Sequence, residues 1–306
     1  MNKKIGVVGS INTDIVTKTD IVPKEGETVI GNEYLLSNGG KGANVAVAGA
    51  RLKQDVNLIG CVGGDVFSNN ALLNLKTQNV NVSGVTILPN EQGGVANIIL
   101  CNENNRIIVV SGANMLLDKD LINKNIDVIK ECSIVGGQFE VPVETLFYVS
   151  KICYDNNIKF VLNLSPIKKY PLDIIKYATY IVVNEVEIKE IDGYNEDKPY
   201  DILKKYPNKL ILTKGGDGVF YFNGKEVVNV PAIKVNVVDT TGAGDTFLGS
   251  FMVAINNDMN LLEAITFANI CAGLKTTKIG AQTGMPTLDE VKQYVKENDI
   301  KIDIKF

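Results

Sequence analysis

The sequence predicts an α/β protein, a Rossmann-like three-layer α/β/α sandwich with a small β-sheet lid. Two observations carry the sandwich. Six short runs, IGVVG at 5–9, VNLIGCVG at 56–63, CSIVGG at 132–137, KFVLNLS at 159–165, YIVVNE at 180–185 and KLILTKGG at 209–216, are apolar at consecutive positions, as parallel strands covered on both faces are. Between them lie helical patterns at 42–52, 66–78, 143–156, 185–191 and 200–206. Strand and helix therefore alternate, and right-handed crossovers gather the loops after the strands along one sheet edge, where open α/β sheets bind ligands.

The lid rests on two stretches that break this rhythm. Residues from about 12 to 37, including GETVIGNEYLL, and GGVANIILCNENNRIIVVSG at 93–112 read as antiparallel strands, the second reversing in a four-residue turn at NENN. They form either a lid over the sheet edge or edge strands of the main sheet. No repeat, low-complexity tract or linker is visible, so residues 1–306 are expected to be one domain with the lid inserted. From 244 onward the pattern is helical, with helices expected at 244–257, 261–278 and 287–297.

Composition narrows the function. At 306 residues, with 45% hydrophobic and 22% charged side chains, the chain can bury a substantial core. A net charge of −4 and a pI near 5.2 argue against nucleic acid or an anionic membrane as partner, since both need clustered Lys and Arg. No apolar run reaches membrane length, and MNKKIGVVGS leads into a strand rather than a signal peptide. Cys61, Cys101, Cys132, Cys153 and Cys271 are scattered without C-x-x-C spacing, which favours reduced thiols and a cytoplasmic location. With no histidine in the chain, serine–histidine hydrolysis and histidine metal sites drop out. Acid–base work falls to Asp, Glu, Lys, Cys or Tyr.

One segment combines the features of an anion site. In VVDTTGAGDTFLGSF, at 237–251, the expected helix carries Phe247, Phe251 and Ile255 on one face beside Leu248 and Met252, so it packs into the body. Its first N–H groups lack intrahelical partners and, with the helix dipole, seat an anion that Gly242 and Gly244 let approach. Asp245 either caps this helix or serves as a base kept ionised by the helix end. Phosphoryl transfer needs an anion cradle, a metal, orientation and one carboxylate for the acceptor proton, and the turn supplies cradle and carboxylate.

Other motifs extend the inventory. SNGGKGANVAVAGARL at 37–52 opens a helix with Gly39, Gly40 and Gly42 and presents Lys41 and Asn44; it is neither a P-loop nor a dinucleotide fingerprint. GSINTD at 9–14 sets Asn12 and Asp14 after the first strand, suited to sugar hydroxyls or to a turn. NEVE at 184–187 offers Asn184 and Glu187 for a hydrated Mg²⁺, or Glu187 merely compensates a helix dipole. TKGGDG at 213–218 is a glycine loop for a nucleotide or a hairpin turn into VFYF.

Taken together, GSINTD, GETVIGNEY, GGKGAN, SGAN, NEVE, VDTTGAGDTF and GAQ, in this order across nearly the whole chain, resemble the PfkB carbohydrate kinases. GGKGAN with DTTGAGD is the specific part. The resemblance implies ATP-dependent phosphorylation of a sugar's primary hydroxyl, with the 5-hydroxyl of D-ribose as the leading acceptor. Deoxyribose, fructose, fructose phosphate and adenosine are the alternatives. It implies Asp245 as the base and the amides of Gly242, Ala243 and Gly244 as the anion hole. Sugar contacts fall to Asn12, Asp14, Gly40, Lys41, Asn44 and Glu140, the last in GGQFEVP. The ATP side falls to Asn184, Thr213, Gly215, Gly216, Gly218, Gly244 and Asn269, with Glu187 reaching Mg²⁺ through water. An activating K⁺ is implied beside the anion hole, held by Asp239 and the carbonyls of Thr241, Lys275, Lys278 and Gly280. A homodimer pairing through the lids is implied as well.

Three positions depart from the family pattern. Gly284 stands where a hydroxyl residue often neighbours the cation, VLNLSP replaces LNPAPA, and Gly93-Gly94 replaces Thr-Gly before the second lid strand. A sugar phosphate would call for Lys or Arg at the lid and a nucleoside for an aromatic platform; only Arg106 and Tyr34 answer to either description. Outside the family, an NAD-dependent dehydrogenase lacks its fingerprint, and a non-catalytic nucleotide-binding regulator would have no use for Asp245.

Overall fold

The computed structural model describes residues 3–102 and 104–306. In chain order the strands are β1 (Lys4–Val8), β2 (Asn12–Lys18), β3 (Glu33–Gly39), β4 (Val56–Gly63), β5 (Val80–Leu88), β6 (Gly94–Cys101), β7 (Asn104–Val110), β8 (Cys132–Gln138), β9 (Lys159–Asn163), β10 (Tyr180–Asn184), β11 (Leu210–Thr213), β12 (Val219–Phe222) and β13 (Val227–Val230). The helices are α1 (Lys41–Arg51), α2 (Val66–Thr77), α3 (Lys119–Lys124), α4 (Ile126–Lys130), α5 (Val143–Asp155), α6 (Asp173–Tyr177), α7 (Asp201–Lys205), α8 (Ala243–Asn256), α9 (Leu261–Thr276), α10 (Ala281–Gly284) and α11 (Leu288–Glu297).

Nine strands form one sheet in the order β13-β12-β11-β10-β9-β8-β1-β4-β5. It is parallel from β5 through β11, and β12 and β13 add an antiparallel edge. The continuous apolar runs follow from burial of both faces. Val7, Leu58, Ile134, Val161, Val182 and Ile211 join one apolar cluster with α1, α8 and α9. Their neighbours Val8, Ile59, Val135, Leu162, Ile181 and Leu212 join a second cluster with α5 and α6 on the opposite face. Helix α8 is buried along nearly its whole length, not only on the Phe247, Phe251 and Ile255 face. Two helix starts are fixed locally, because Asn260 with Glu263 and Thr287 with Glu290 form capping boxes at α9 and α11.

The lid is a separate four-stranded sheet, β3-β2-β6-β7, which excludes the edge-strand reading. Both predicted antiparallel pairs are present, and β2 joins β6 in parallel between them. Two details differ from expectation. Of GETVIGNEYLL only Glu33 onward is strand, the glycine-flanked part before it being irregular. NENN includes Glu103, which lies outside the described residues, and its last two residues, Asn104 and Asn105, already belong to β7. In the sandwich, the helix expected at 185–191 is only a 3₁₀ turn at Glu187–Glu190, because the Asn184 side chain accepts from Val186 and Glu187 N–H groups and tightens the chain.

Candidate active site

The site forms where β1, β8, β10 and β11 end and α1 and α8 begin. Gly40, at φ 87°, turns the chain from the lid into α1. A methyl group on Gly42 would come within 2.6 Å of Gly9 Cα, so α1 starts hard against the loop after β1. Helix α8 starts at Gly242, at φ 77°, with no side-chain cap. Asp245, third in α8, does not cap it. Its carboxylate accepts from Asn44 Nδ2 at 2.8 Å and Gln138 Nε2 at 3.4 Å, with Lys41 Nζ at 3.9 Å.

At 7% exposure Asp245 is nearly enclosed yet reachable. Burial raises its carboxyl above the ordinary value, while Lys41 and Asn44 pull it down and Glu140 adds to the rise. Asp245 in turn holds the Lys41 ammonium above its usual range.

The residues expected to face the sugar gather around this carboxylate. Glu140 accepts from Ser10 Oγ at 2.5 Å and the Lys41 amide at 3.0 Å, tying the loops after β8 and β1 to the start of α1. Burial first, then the charges of Glu140 and Asp245, push Asp14 up to about 6. Asn12 Oδ1 accepts from Asn114 Nδ2 at 2.7 Å, and Asn114 Oδ1 accepts from the Ile11 amide at 2.9 Å. Asn44 Oδ1 accepts from Gln282 Nε2 at 3.0 Å, which aims its amide nitrogen at Asp245. Asn114, Gln138 and Gln282 were given no role from the sequence, although SGAN, GGQFEVP and GAQ contain them. Gln138 Oε1 is the one buried side-chain polar atom without a partner among the described residues.

Among the residues expected on the nucleotide side, Glu187 is buried and accepts from Asn184 N at 3.0 Å and Asn184 Nδ2 at 2.9 Å. Thr213 Oγ1 donates to Val183 O at 3.1 Å. TKGGDG is the hairpin between β11 and β12, with open space where side chains would stand at Gly215 and Gly216. Gly218, at φ 91°, packs against Val230, Pro231 and Ala232, and Asn269 Nδ2 donates to Pro231 O at 2.8 Å. The loop and α9 are thereby joined. Gly244 also faces open space. Of the three amides expected to form the anion hole, Ala243 N is engaged, donating to Thr240 O at 3.1 Å across the turn into α8. The amides of Gly242 and Gly244 have no partner among the described residues.

The residues expected to hold potassium contact one another directly. Asp239 accepts from Thr241 N at 2.9 Å and Gly280 N at 2.8 Å. The expected cation position is taken by a side chain of the protein itself: Lys275 Nζ donates to Asp239 O at 2.8 Å and Lys278 O at 3.4 Å, and lies 3.7 Å from Asp239 Oδ2. Burial lowers the Lys275 pKa and the Asp239 carboxylate opposes it. Asp239 is raised by burial, but its bonds from Thr241 and Gly280 and the Lys275 charge bring it below the ordinary value. K⁺ does not fit a donor set already filled by an ammonium. Mg²⁺ fits differently. No cluster of three acidic, Cys or His ligands exists among the described residues, and Glu187 is committed to Asn184, which suits an ion that arrives on a nucleotide and touches protein through water.

Comparison with known proteins identifies relatives of the whole chain. A ribokinase of Lactococcus lactis is 42% identical over 300 residues, covering 98% of this chain and 99% of the relative. A deoxyribokinase of Salmonella typhi is 32% identical over 305 residues, covering 96% and 99%. The structure of Arabidopsis thaliana ribokinase complexed with ribose and ATP superposes with a TM-score of 0.89 at 27% identity, covering 97% of this chain and 99% of that one. The pfkB family carbohydrate kinase model matches residues 2–288, and the chain belongs to that family.

Proposed function

We propose that the chain transfers the γ-phosphoryl group of ATP to the 5-hydroxyl of D-ribose, giving ribose 5-phosphate and ADP. The observation that carries this reading is the position of Asp245, an enclosed yet reachable carboxylate one residue from the open Gly244. It is ringed by Asn44, Lys41 and the Asp14 and Glu140 carboxylates.

In this account Asp14, Asn12, Glu140, Lys41 and Asn44 hold the sugar with its primary hydroxyl toward Asp245. The ionised Asp245 accepts the hydroxyl proton as the oxygen attacks, and the pKa raised by burial makes it a stronger base than a solvated carboxylate. Amides of Gly242 and Gly244 receive the charge that spreads over the transferred group. Asn184, Thr213 and the Gly215–Gly218 hairpin line the nucleotide side, with Asn269 anchoring the hairpin through Pro231. Glu187, held by Asn184, would meet a nucleotide-borne Mg²⁺ through water, and that ion would supply neutralisation of the charge developing on the transferred group.

Deoxyribose is a second acceptor to consider, favoured by the 32% identical deoxyribokinase. ADP release measured over ribose, deoxyribose, fructose, fructose 6-phosphate and adenosine tests the choice. Ribose is expected to give the highest kcat/KM, and a higher value for any other acceptor would overturn the assignment.

Two further features belong to this reading. Lid residues Tyr34 and Ile108 are 71% and 64% exposed, which supports pairing of two lids in a homodimer. Sedimentation at 33.2 kDa rather than twice that mass would refute the pairing. All five cysteines are buried free thiols, which supports a reducing, cytoplasmic setting, to be checked by cell fractionation. No helix among the described residues is long and apolar enough to cross a membrane.

A further inference from the structure

We propose that Lys275 replaces the exchangeable monovalent cation, so that its ammonium is a built-in charge beside the anion cradle and catalysis is independent of K⁺. The side chain is 0% exposed and its Nζ is met by Asp239 O, Lys278 O and, farther off, Asp239 Oδ2. A buried charge persists only where acceptors and a counter-charge surround it. Asp239 and Lys278 are two of the five residues that the resemblance assigned to K⁺.

The second observation is Gly284. A methyl group there would lie 3.1 Å from Lys275 Cε and 3.0 Å from Lys278 O. A hydroxyl residue at 284 would therefore crowd the lysine stem. The departure at Gly284 and the inward-turned Lys275 are one complementary change, in which the space of a cation ligand is given to the side chain that supplies the charge. Asp239, locked by Thr241 N and Gly280 N, connects this charge to the turn that opens α8 at Gly242. The ammonium thus fixes the turn and adds to the positive potential at the cradle without leaving when the buffer changes.

The test has an arm that does not require the ribose assignment. Crystals of the unaltered protein soaked in thallium(I), an anomalous scatterer that substitutes for K⁺, are expected to show no peak beside Asp239; a peak there overturns the proposal. In the activity arm, with whichever sugar supports ADP release, equal rates are expected in K⁺, Na⁺ and tetramethylammonium buffers, and stimulation by K⁺ overturns the proposal. The double variant Lys275→Ala, Gly284→Ser is expected to lose about tenfold or more in tetramethylammonium and to recover with K⁺. Lys275→Met, which fills the space without charge, is expected to lose as much with no recovery. Full activity of Lys275→Met would count against the proposal. Absence of turnover with every sugar would instead refute the sugar-kinase reading, leaving the thallium result to decide on Lys275.

Discussion

Burial and two neighbouring carboxylates, Glu140 and Asp245, bring Asp14 from 3.8 to about 6. Between these values the folded state binds the proton that the unfolded chain has released. Stability from this group therefore falls as pH rises from about 4 to about 6, and the cost is present in full above 6. Asp14→Asn is expected to raise the thermal midpoint of the ligand-free protein near pH 8 by a few degrees, with the gain fading toward pH 4 and sugar affinity lost throughout. Calorimetry at the two pH values checks this, and a gain equal at both would contradict it. Residues of this kind were legible where a motif carries them whole, as GSINTD carries Asn12 and Asp14. Gln138, Asn114 and Gln282 were not, because each acts on a partner at least 102 residues away, so only the folded chain gives them a role. For Lys275 the family resemblance implies only a main-chain carbonyl, since a motif says nothing of an ammonium folded back into its own helix end.

The central strands were legible because a strand touching two apolar clusters must be apolar at consecutive positions. β5 and β13 carry weak strand signals because they lie at the sheet edges and mix polar with apolar residues, and β12, the VFYF run, pairs antiparallel with both its neighbours. α3 and α4 are six and five residues long, too short for a helical period to declare itself. At α8, the open end gives a direct expectation. Gly244 has nothing within 4 Å of where a side chain would stand, and alanine favours a helix by about 1 kcal/mol over glycine. Gly244→Ala should fold with an unchanged or slightly higher thermal midpoint, while its methyl group intrudes on the phosphate. We expect kcat/KM for ATP to fall about tenfold or more. A fall accompanied by unfolding, or unaltered kinetics, would remove Gly244 from the cradle.

At the scale of the molecule, the parallel part of the main sheet carries loops separated by more than two hundred residues to a common edge, so that Asn44 and Asp245 meet at 2.8 Å. The alternation of runs and helices predicted that edge. The joining of the two lid hairpins through parallel β2 and β6 was not readable, since neither hairpin encodes its partner. The sandwich supplies a buried carboxylate and a fixed helix end, and lid strands β2 and β3 carry Asn12, Asp14 and Gly39. The central claim is that Asp245 takes the proton of the attacking hydroxyl. Single-turnover ADP formation by Asp245→Asn, with ribose and ATP binding followed on the same protein, tests it most directly. The account predicts both ligands bound and a rate lower by about 10² or more; a rate near that of the unaltered protein would contradict it.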